Sequence, residues 1–268
     1  MIVPIAVPIA LTIAGSDSSG GAGIQADLKT FSAFGVYGAS AITAVTAQNT
    51  TAVTMVHDLP PPVIAAQIDA VFSDLRIAAV KIGMLSRVDA IETVARSLDR
   101  WQAANIVVDP VMVATTGARL LDPQAIDVLR RQLLPRAAVI TPNLPEAAAL
   151  LDSAPAANER DMQTQAERLL ALGAKAVLIK GGHGAGAESV DLLVDAAGAV
   201  RFAAPRIDTQ NTHGTGCTLS AAVTAGLAKR EALRAAVARA KEYVSAAIAT
   251  AAELKIGSGR GPVHHFRQ

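Results

Sequence analysis

Short apolar runs rich in β-branched residues alternate with longer segments of helical periodicity along most of this chain. The short runs predict strands at residues 10–14, 41–47, 79–83, 106–109, 139–141 and 176–180, and a hairpin over residues 191–194 and 199–202. The periodic segments predict helices at residues 24–34, 63–72, 88–98, 124–134, 162–172, 218–228 and 231–252, with a loop at residues 153–158. Apolar strands separated by helices are typical of a parallel sheet covered on both faces. The pattern therefore predicts an α/β fold with a doubly wound, mostly parallel central sheet flanked by helices.

Polar residues and glycines collect where the predicted strands end. The strand ends carry, in order, Gly15-Ser16-Asp17, Gln48-Asn49-Thr50, Gly83-Met84, Asp109-Pro110, Thr141-Pro142-Asn143 and Lys180-Gly181-Gly182-His183. In a doubly wound sheet, ligands bind beyond the carboxyl ends of the strands. This convergence indicates an enzyme more strongly than any single motif does.

The composition favours one folded unit. Hydrophobic residues make up 51% of the chain and charged residues 18%, which is ample for a large buried core. No linker or repeat divides the sequence, so we expect one domain over residues 1–268. A net charge of +1 offers no bulk field for nucleic acid or an anionic membrane, and no apolar run approaches the roughly 20 residues of a membrane helix. The single cysteine cannot form an internal disulfide, which fits a cytoplasmic protein.

The stretch from Asp208 to Leu219 is a polar, glycine-bearing turn that leads into an alanine-rich helix and carries the only cysteine. Gly214 and Gly216 allow successive backbone N–H groups to point at one place, and the helix start adds its dipole. Such a turn can bind an anion. A thiol at a helix start also has its pKa lowered toward the thiolate, so we expect Cys217 to be a reactive base, although a free cysteine can also be a small core residue. An anion site and a base on one turn suggest phosphoryl transfer.

A glycine-rich loop entering a helix, residues 15–27, contains a match to the dinucleotide pattern GxGxxG/A at residues 21–26. The match is weak because the loop is too long and the second strand ends in Gln48 instead of an acidic residue. No GxxxxGK[ST] is present, so the chain is not a P-loop protein. Asp27 and Gln48 could bind an amino-substituted heterocycle through a carboxylate and an amide. An alternative interpretation is equally open: Asp27 lies on a solvated helix face and Gln48 merely caps a strand.

Two further groups of polar residues have both a structural and a functional interpretation. Asn143 and Glu146 stand three residues apart at a helix start, where they would form a capping box. The same pair would also suit hydrated Mg²⁺ beside nucleotide phosphates, because Mg²⁺ binds few protein carboxylates. From the residues alone, the capping box is the favoured interpretation. His183, His264 and His265 have no cysteine or carboxylate at metal-ligand spacing, so we expect loop and surface residues.

Taken together, these residues resemble the ribokinase superfamily, whose members transfer a phosphoryl group from ATP to a hydroxymethyl group or a sugar hydroxyl. The similarity is greatest to the bifunctional hydroxymethylpyrimidine/phosphomethylpyrimidine kinases of thiamine biosynthesis. It extends over nearly the whole chain, through residues 14–17, 23–29, 46–50, 81–84, 109–113, 141–146, 214–217 and 261–266. The resemblance implies a ribokinase-like fold in a single domain without a large lid, and relatives suggest a homodimer.

The resemblance also implies roles for individual residues. The pyrimidine pocket would be lined by Gly15, Ala22, Asp27, Gln48, Met84 and Val111, with Gln48 hydrogen-bonded to the aminopyrimidine edge. The side that binds ATP and Mg²⁺ would comprise Asp109, Asn143, Glu146, Lys180, Thr212 and Lys241, with Glu146 at the metal. Backbone N–H groups of Gly214, Gly216 and Cys217 would form the anion hole, and Lys180 would neutralise charge in catalysis. Cys217 would be the base where most sugar kinases of this superfamily carry Asp, and Ser18 stands where this branch more often has proline.

Three other functions stay open. A pyridoxal kinase is the first, because that activity recurs in the same branch with a similar pocket and a nearby cysteine could trap the pyridoxal aldehyde. A non-catalytic ligand sensor that kept the fold is the second, although a sensor would have no use for Cys217, Glu146 and Lys180. An NAD-dependent oxidoreductase is more distant, because of the long loop and the missing acidic residue.

Overall fold

A nine-stranded sheet forms the centre of the part of the chain that the computed structural model describes, residues 7–113, 117, 120–122, 124–183 and 186–266. Its strands are β1 (Ile9–Asp17), β2 (Tyr37–Gln48), β3 (Val53–Asp58), β4 (Ile77–Ile82), β5 (Ile106–Val108), β6 (Val139–Ile140), β7 (Ala176–Lys180), β8 (Glu188–Asp195) and β9 (Gly198–Pro205). In space they follow the order β3-β2-β1-β4-β5-β6-β7-β8-β9. The central strands are parallel, whereas β3, β8 and β9 pair antiparallel at the two edges.

Helices cover both faces of the sheet. They are α1 (Gly23–Ala33), α2 (Pro61–Asp74), α3 (Val88–Arg100), α4 (Ala125–Gln132), α5 (Leu144–Leu151), α6 (Glu159–Leu170), α7 (Thr215–Ala228) and α8 (Leu233–Ala249). Alternate strand side chains point to opposite faces, so in β7 Val177 and Ile179 join one core cluster while Leu178 joins the other. The first cluster packs against α2 to α6 and the second against α1, α7 and α8. The predicted doubly wound α/β fold is confirmed. In the described ranges no helix has the length and apolar character needed to cross a bilayer.

Many elements differ from the sequence-based prediction by a few residues at their ends, and three differences have a clear physical reason. β3 is missing from the prediction because residues 54–57 are all exposed, and the segment therefore lacks the apolar run of a buried strand. For α5 only the start is predicted, at Asn143 and Glu146, because its eight residues are almost all apolar and no polar face marks how far the helix continues. The helix predicted over residues 124–134 ends earlier, at Gln132, and a 3₁₀ turn follows at Leu134–Arg136. Pro135 has no N–H to continue the helical hydrogen bonds, which accounts for the early end.

Two glycine-bearing segments meet above the carboxyl ends of the parallel strands. Gly214 has a φ of 78°, which is the left-handed conformation that glycine adopts without strain. A side chain at Gly214 would overlap the carbonyl oxygen of Gly21, and a side chain at Gly21 would overlap the His213 imidazole. The loop before α1 and the turn before α7 therefore pack backbone against backbone at the edge where polar residues gather.

Candidate active site

A cavity of about 890 Å³ opens at the carboxyl ends of the parallel strands. Its wall contains all of the sequence-predicted site residues except Asp27: Gly15, Ala22, Gln48, Met84, Val111, Asp109, Asn143, Glu146, Lys180, Thr212, Gly214, Gly216, Cys217 and Lys241. The residues assigned to the pyrimidine lie near the ends of β1 and β2 and in the segments after β1, β4 and β5. Those assigned to ATP come mainly from the segments after β5, β6 and β7 and from α8. The Gly214 turn lines the same cavity.

The start of α7 has the geometry of an anion site. Gly214 is its N-cap, and neither a capping side chain nor an acidic residue satisfies the first turn. Thr218 Oγ1 donates to the Gly214 carbonyl oxygen at 2.8 Å, and Thr215 Oγ1 donates to the Thr212 carbonyl oxygen at 2.7 Å. These two hydrogen bonds fix the turn through its carbonyl oxygens. The Thr215 N–H donates to the Thr212 carbonyl oxygen at 3.2 Å, so the N–H groups of Gly214, Gly216 and Cys217 are the ones suited to an anion in the cavity.

The environment of Cys217 differs from the sequence-based expectation. Burial raises the pKa of the thiol to about 11, with Lys81 and the Gly23 N–H acting to lower it and Asp27 and Asp109 acting to raise it. The prediction that the helix start lowers this pKa is wrong, because the loss of water around the thiol outweighs the helix dipole. Cys217 is therefore a protonated thiol at neutral pH.

Asp27 lies beneath the cavity and not in its wall. Both of its carboxylate oxygens lie 2.8 Å from Lys81 Nζ, and Thr12 Oγ1 donates to it at 2.6 Å. The side chains of Asp27 and Lys81 are both fully buried, so the interpretation that Asp27 sits on a solvated helix face is wrong. Burial alone would lower the pKa of Lys81, but the facing carboxylate raises it and keeps the amine charged. Lys81 itself reaches the cavity wall, so Asp27 orients a cation there.

A second buried group of charges centres on Lys180. Its Nζ lies 2.7 Å from Asp109 Oδ1 and 3.9 Å from Glu146 Oε2. Burial acts to raise the pKa of Asp109, but Lys180 and Lys81 outweigh it and hold the pKa below its ordinary value. Burial raises the pKa of Glu146 to about 7, against the effect of Lys180. Lys180 thus lies between the carboxylates of Asp109 and Glu146. The pKa of Asp109 is lowered and that of Glu146 is raised, so the two lose their protons in different pH ranges.

The capping-box interpretation of Asn143 and Glu146 is confirmed. Asn143 Oδ1 accepts from the Glu146 N–H at 2.9 Å, and Glu146 Oε2 accepts from the Asn143 N–H at 2.8 Å. The cap fixes the Glu146 carboxylate at the cavity wall and leaves it 3.9 Å from Lys180 Nζ. A structural role and a role toward a ligand are therefore compatible at this helix start.

Lys241 is held by Asp191, a residue outside the set predicted for the site. Its Nζ donates to Asp191 Oδ2 at 2.9 Å, and Asp191 Oδ1 accepts from the Gly181 N–H at 3.0 Å. Asp191 is a buried acid inside a strand of the hairpin, where an apolar residue is the usual choice, and that position is the signal that could have identified it.

His213 and Asp17 form a pair that the sequence analysis also leaves out. His213 Nε2 lies 2.7 Å from Asp17 Oδ2 and 3.4 Å from Gln48 Nε2. Burial acts to raise the pKa of Asp17, but hydrogen bonds from His213, Ser19 and Ala22 lower it to about 2. The pair therefore joins the turn before α7 to the loop before α1 on the side where Gln48 lies.

His265 is not the surface residue that the sequence predicts. It is 3% exposed, its Nε2 lies 2.9 Å from Thr218 Oγ1, and its carbonyl oxygen accepts from the Tyr243 hydroxyl at 3.0 Å. Burial, assisted by Lys29, His264 and His213, lowers the pKa of His265 to about 4. The expectation for the His183 side chain lies outside the described residues, and in the described ranges no group of three or more His, Cys, Asp or Glu could hold a metal ion.

The low pKa of His265 predicts a loss of stability in acid. Below pH 6.5 the His265 imidazole becomes protonated in the unfolded chain. In the folded chain it stays neutral until the pH falls to about 4. The free energy of unfolding should therefore fall by up to about 3 kcal/mol over this window through His265. Urea unfolding at several pH values measures this effect: the difference in the free energy of unfolding between wild type and His265→Gln should change with pH. A difference in the free energy of unfolding that is constant with pH would contradict the prediction.

A doubly wound sheet with an anion-binding helix start and paired charges around one cavity defines a small-molecule kinase of the ribokinase-like class. The sequence pattern of the family described as phosphomethylpyrimidine kinase matches residues 17–264. The chain belongs to this family, and the resemblance seen in the sequence is confirmed. The prediction of an enzyme is confirmed as well, which goes against the sensor and the NAD-dependent oxidoreductase.

Individual relatives agree with the family. The hydroxymethylpyrimidine/phosphomethylpyrimidine kinase of Rhizobium meliloti (strain 1021) is 59% identical over 260 residues, 97% of each chain. Bacillus subtilis pyridoxal kinase, solved as an ADP complex, has a TM-score of 0.90 and 42% identity over 97% of this chain and 98% of its own. Phosphomethylpyrimidine kinase of Clostridium difficile 630 has a TM-score of 0.80 and 47% identity over 90% of this chain and 99% of its own.

Proposed function

We propose that this protein transfers the γ-phosphoryl group of ATP to the hydroxyl of 4-amino-5-hydroxymethyl-2-methylpyrimidine, and then to the resulting monophosphate, in thiamine biosynthesis. The observation that carries the proposal is the Gly214–Cys217 turn in the wall of one cavity, between a side with Gly15, Gln48 and Met84 for the heterocycle and a side with Asp109, Glu146 and Lys180 for the nucleotide. A relative that is 59% identical bears the name of both activities. The single cysteine supports a cytoplasmic location.

The acceptor side offers apolar contact and one polar edge. In the proposal the ring lies among Gly15, Ala22, Met84 and Val111, with the Gln48 amide at its aminopyrimidine edge. The chain holds Gln48 in place, since its Oε1 accepts from Thr46 Oγ1 at 3.1 Å. An amide that is oriented before the ligand arrives loses less entropy on binding. Asp27 acts in this proposal through Lys81.

The nucleotide side suits ATP with hydrated Mg²⁺. In the described ranges no cluster of three metal-binding side chains exists, and Mg²⁺ shared with phosphates needs few of them. Asp109 and Glu146 both line the cavity and would hold the ion directly or through its waters. When bound, Mg²⁺ would neutralise charge on the β- and γ-phosphates. The 42% identical pyridoxal kinase was solved as an ADP complex, which supports the use of an adenine nucleotide by this fold.

In the transfer step the chain supplies alignment, charge and one proton acceptor. The N–H groups of Gly214, Gly216 and Cys217 would stabilise the transferring group, and Lys180 would offset the charge that spreads over its oxygens. Cys217 would accept the proton of the hydroxymethyl group. Because burial raises the pKa of this thiol to about 11, it can act as a base only after it has lost its own proton.

A comparison of acceptors tests the proposal. The purified protein with ATP and Mg²⁺ is offered hydroxymethylpyrimidine, its monophosphate or pyridoxal, and product formation is followed by mass spectrometry. Pyridoxal kinase is the second candidate because the solved chain of that name has the higher TM-score, 0.90 against 0.80. We expect kcat/KM for the pyrimidine to exceed that for pyridoxal by at least about tenfold. The reverse order would favour pyridoxal kinase, and no turnover of any acceptor would refute both.

We also propose that two copies of the chain associate through the β2–β3 edge of the sheet. Met55 is 66% exposed, Val45 is 45% exposed, and Ala47 pairs with Met55 on the same face. An exposed apolar patch on an edge pair is typical of an interaction surface. We expect a dimer mass in light scattering for wild type and a shift to monomer for Met55→Glu. Leu172→Glu, at an exposed apolar position after α6, is the matched control, and a monomeric wild type would contradict the proposal.

A further inference from the structure

The cations in the cavity wall differ in what neutralises them. Three lysines each face a carboxylate at 2.7–2.9 Å: Lys81 faces Asp27, Lys180 faces Asp109 and Lys241 faces Asp191. Arg206 directs its guanidinium at the carbonyl oxygens of Gly182, Gly186 and Glu188. A ligand that recruits any of these groups would have to compete with a contact that already exists.

Arg260 is the exception. It lines the same cavity and is exposed, and its guanidinium makes no hydrogen bond or ion pair with any residue that the structure describes. Its five N–H donors are therefore available in a fork that matches phosphate geometry. It can take up the charge of a ligand without breaking an ion pair.

The backbone places Arg260 on the acceptor side of the cavity. Its N–H donates to the Thr50 carbonyl oxygen at 2.9 Å, and the Gly259 N–H donates to Thr50 Oγ1 at 3.1 Å. Thr50 follows β2, the strand that ends in Gln48, whereas Lys180 and Asp191 lie on β7 and β8 in the opposite half of the sheet. From this position Arg260 is better placed to contact the acceptor than to contact the nucleotide.

The same segment is also tied to the anion-binding turn. The Gly261 carbonyl oxygen accepts from the His213 N–H at 3.0 Å, and His213 directly precedes Gly214. A side chain at Gly261 would overlap Asn211 Oδ1, so this segment passes close against the loop before the turn. Arg260 therefore starts from a backbone position between the end of β2 and the turn where phosphoryl groups would gather.

We propose that Arg260 binds the phosphate group of the phosphorylated acceptor, and so discriminates the monophosphate from the neutral alcohol. The inference rests on the proposed function, in which one pocket accepts both molecules. The alcohol has no charge to engage the guanidinium, whereas the monophosphate brings close to two negative charges at neutral pH. Arg260 thus provides the additional positive charge that the second acceptor needs.

The test compares KM for the two acceptors in wild type, Arg260→Gln and Arg260→Lys. We expect Arg260→Gln to raise the ratio of the monophosphate KM to the alcohol KM by about 10- to 30-fold, as for the loss of a hydrogen bond to a charged group. Arg260→Lys should recover most of this loss because it keeps the charge. Arg76→Gln, an exposed arginine at the opposite end of the sheet before β4, is the matched control and should leave the ratio within about twofold of wild type.

Three outcomes overturn the inference: a ratio within about twofold of wild type in Arg260→Gln, an equal rise in both KM values, or a rise confined to the KM for ATP. A wild-type protein that phosphorylates neither acceptor would instead refute the proposed function, so the two failures are distinguishable. Direct calorimetric titration of the monophosphate without ATP provides a second measurement. It should show the same loss of affinity in Arg260→Gln and the same recovery in Arg260→Lys.

Discussion

Replacement of Cys217 with alanine is expected to lower the turnover of the alcohol phosphorylation by about 100- to 10,000-fold, the usual contribution of a general base. The hydroxymethyl oxygen is a poor nucleophile while it keeps its proton, and in the proposed mechanism Cys217, which lines the cavity, accepts that proton. The measurement is single-turnover product formation at saturating ATP. Alanine leaves the backbone N–H groups of the anion site in place, so the KM for ATP serves as the control for an intact nucleotide side.

The second phosphorylation provides the contrast. Its acceptor is a phosphate oxygen that is already ionised at neutral pH, so this step needs no base. We expect Cys217→Ala to lower turnover of the monophosphate by less than about tenfold, because only the packing around the turn changes. Equal losses in the two reactions would show that Cys217 supports the turn and does not accept the proton.

The high pKa of the thiol adds a pH dependence to the same prediction. With a pKa of about 11, the thiolate fraction of Cys217 rises about tenfold per pH unit below that value. In wild type, kcat/KM for the alcohol should therefore rise with pH between 8 and 10, above the range in which Glu146 titrates with its pKa of about 7, and kcat/KM for the monophosphate should lack this rise. Cys217→Ala should abolish the slope. A flat wild-type profile for the alcohol would argue against proton transfer to this thiol.

The general plan of the protein could be predicted because it depends on local patterns. Parallel strands bring their carboxyl ends to one edge, so residues as distant in sequence as Gly15 and Lys180 could be assigned to one site from the strand ends alone. Both lie in the cavity wall. The Gly214 turn could be assigned to an anion because glycine, helix start and polar flanks are adjacent in the sequence.

The partners of buried charges could not be predicted in the same way. Asp27 pairs with Lys81 across 54 residues, and Asp17 pairs with His213 across 196 residues. Neither pair has a local signal, since which side chains meet depends on the packing of α1 and of the turn before α7 onto the sheet. The prediction of a lowered pKa for Cys217 is wrong for the same reason, because the helix start can be read from the sequence whereas the burial of the thiol depends on the folded chain.

Replacement of Lys180 with methionine is expected to lower the turnover of both phosphorylations by about 100- to 1,000-fold, as for the loss of a major charge-stabilising donor. The γ-phosphoryl group that Lys180 would stabilise is common to the two reactions, so the losses should be equal, unlike those of Cys217→Ala. Removal of the amine also leaves Asp109 without its partner at 2.7 Å and Glu146 without its partner at 3.9 Å. Lys175→Met, at the exposed residue just before the same strand, is the matched control and should retain wild-type turnover.

Loss of stability must be separated from loss of catalysis in this variant, because breaking a buried ion pair costs about 3 to 5 kcal/mol. The double variant Lys180→Met, Asp109→Asn removes both charges and should recover part of the free energy of unfolding in urea titrations. Its turnover should stay at least as low as that of Lys180→Met, since neither variant can offset the charge of the transferring group. Recovery of turnover together with stability would show that Lys180 serves the fold alone. An unequal loss in the two phosphorylations would place Lys180 on the acceptor instead of the γ-phosphate.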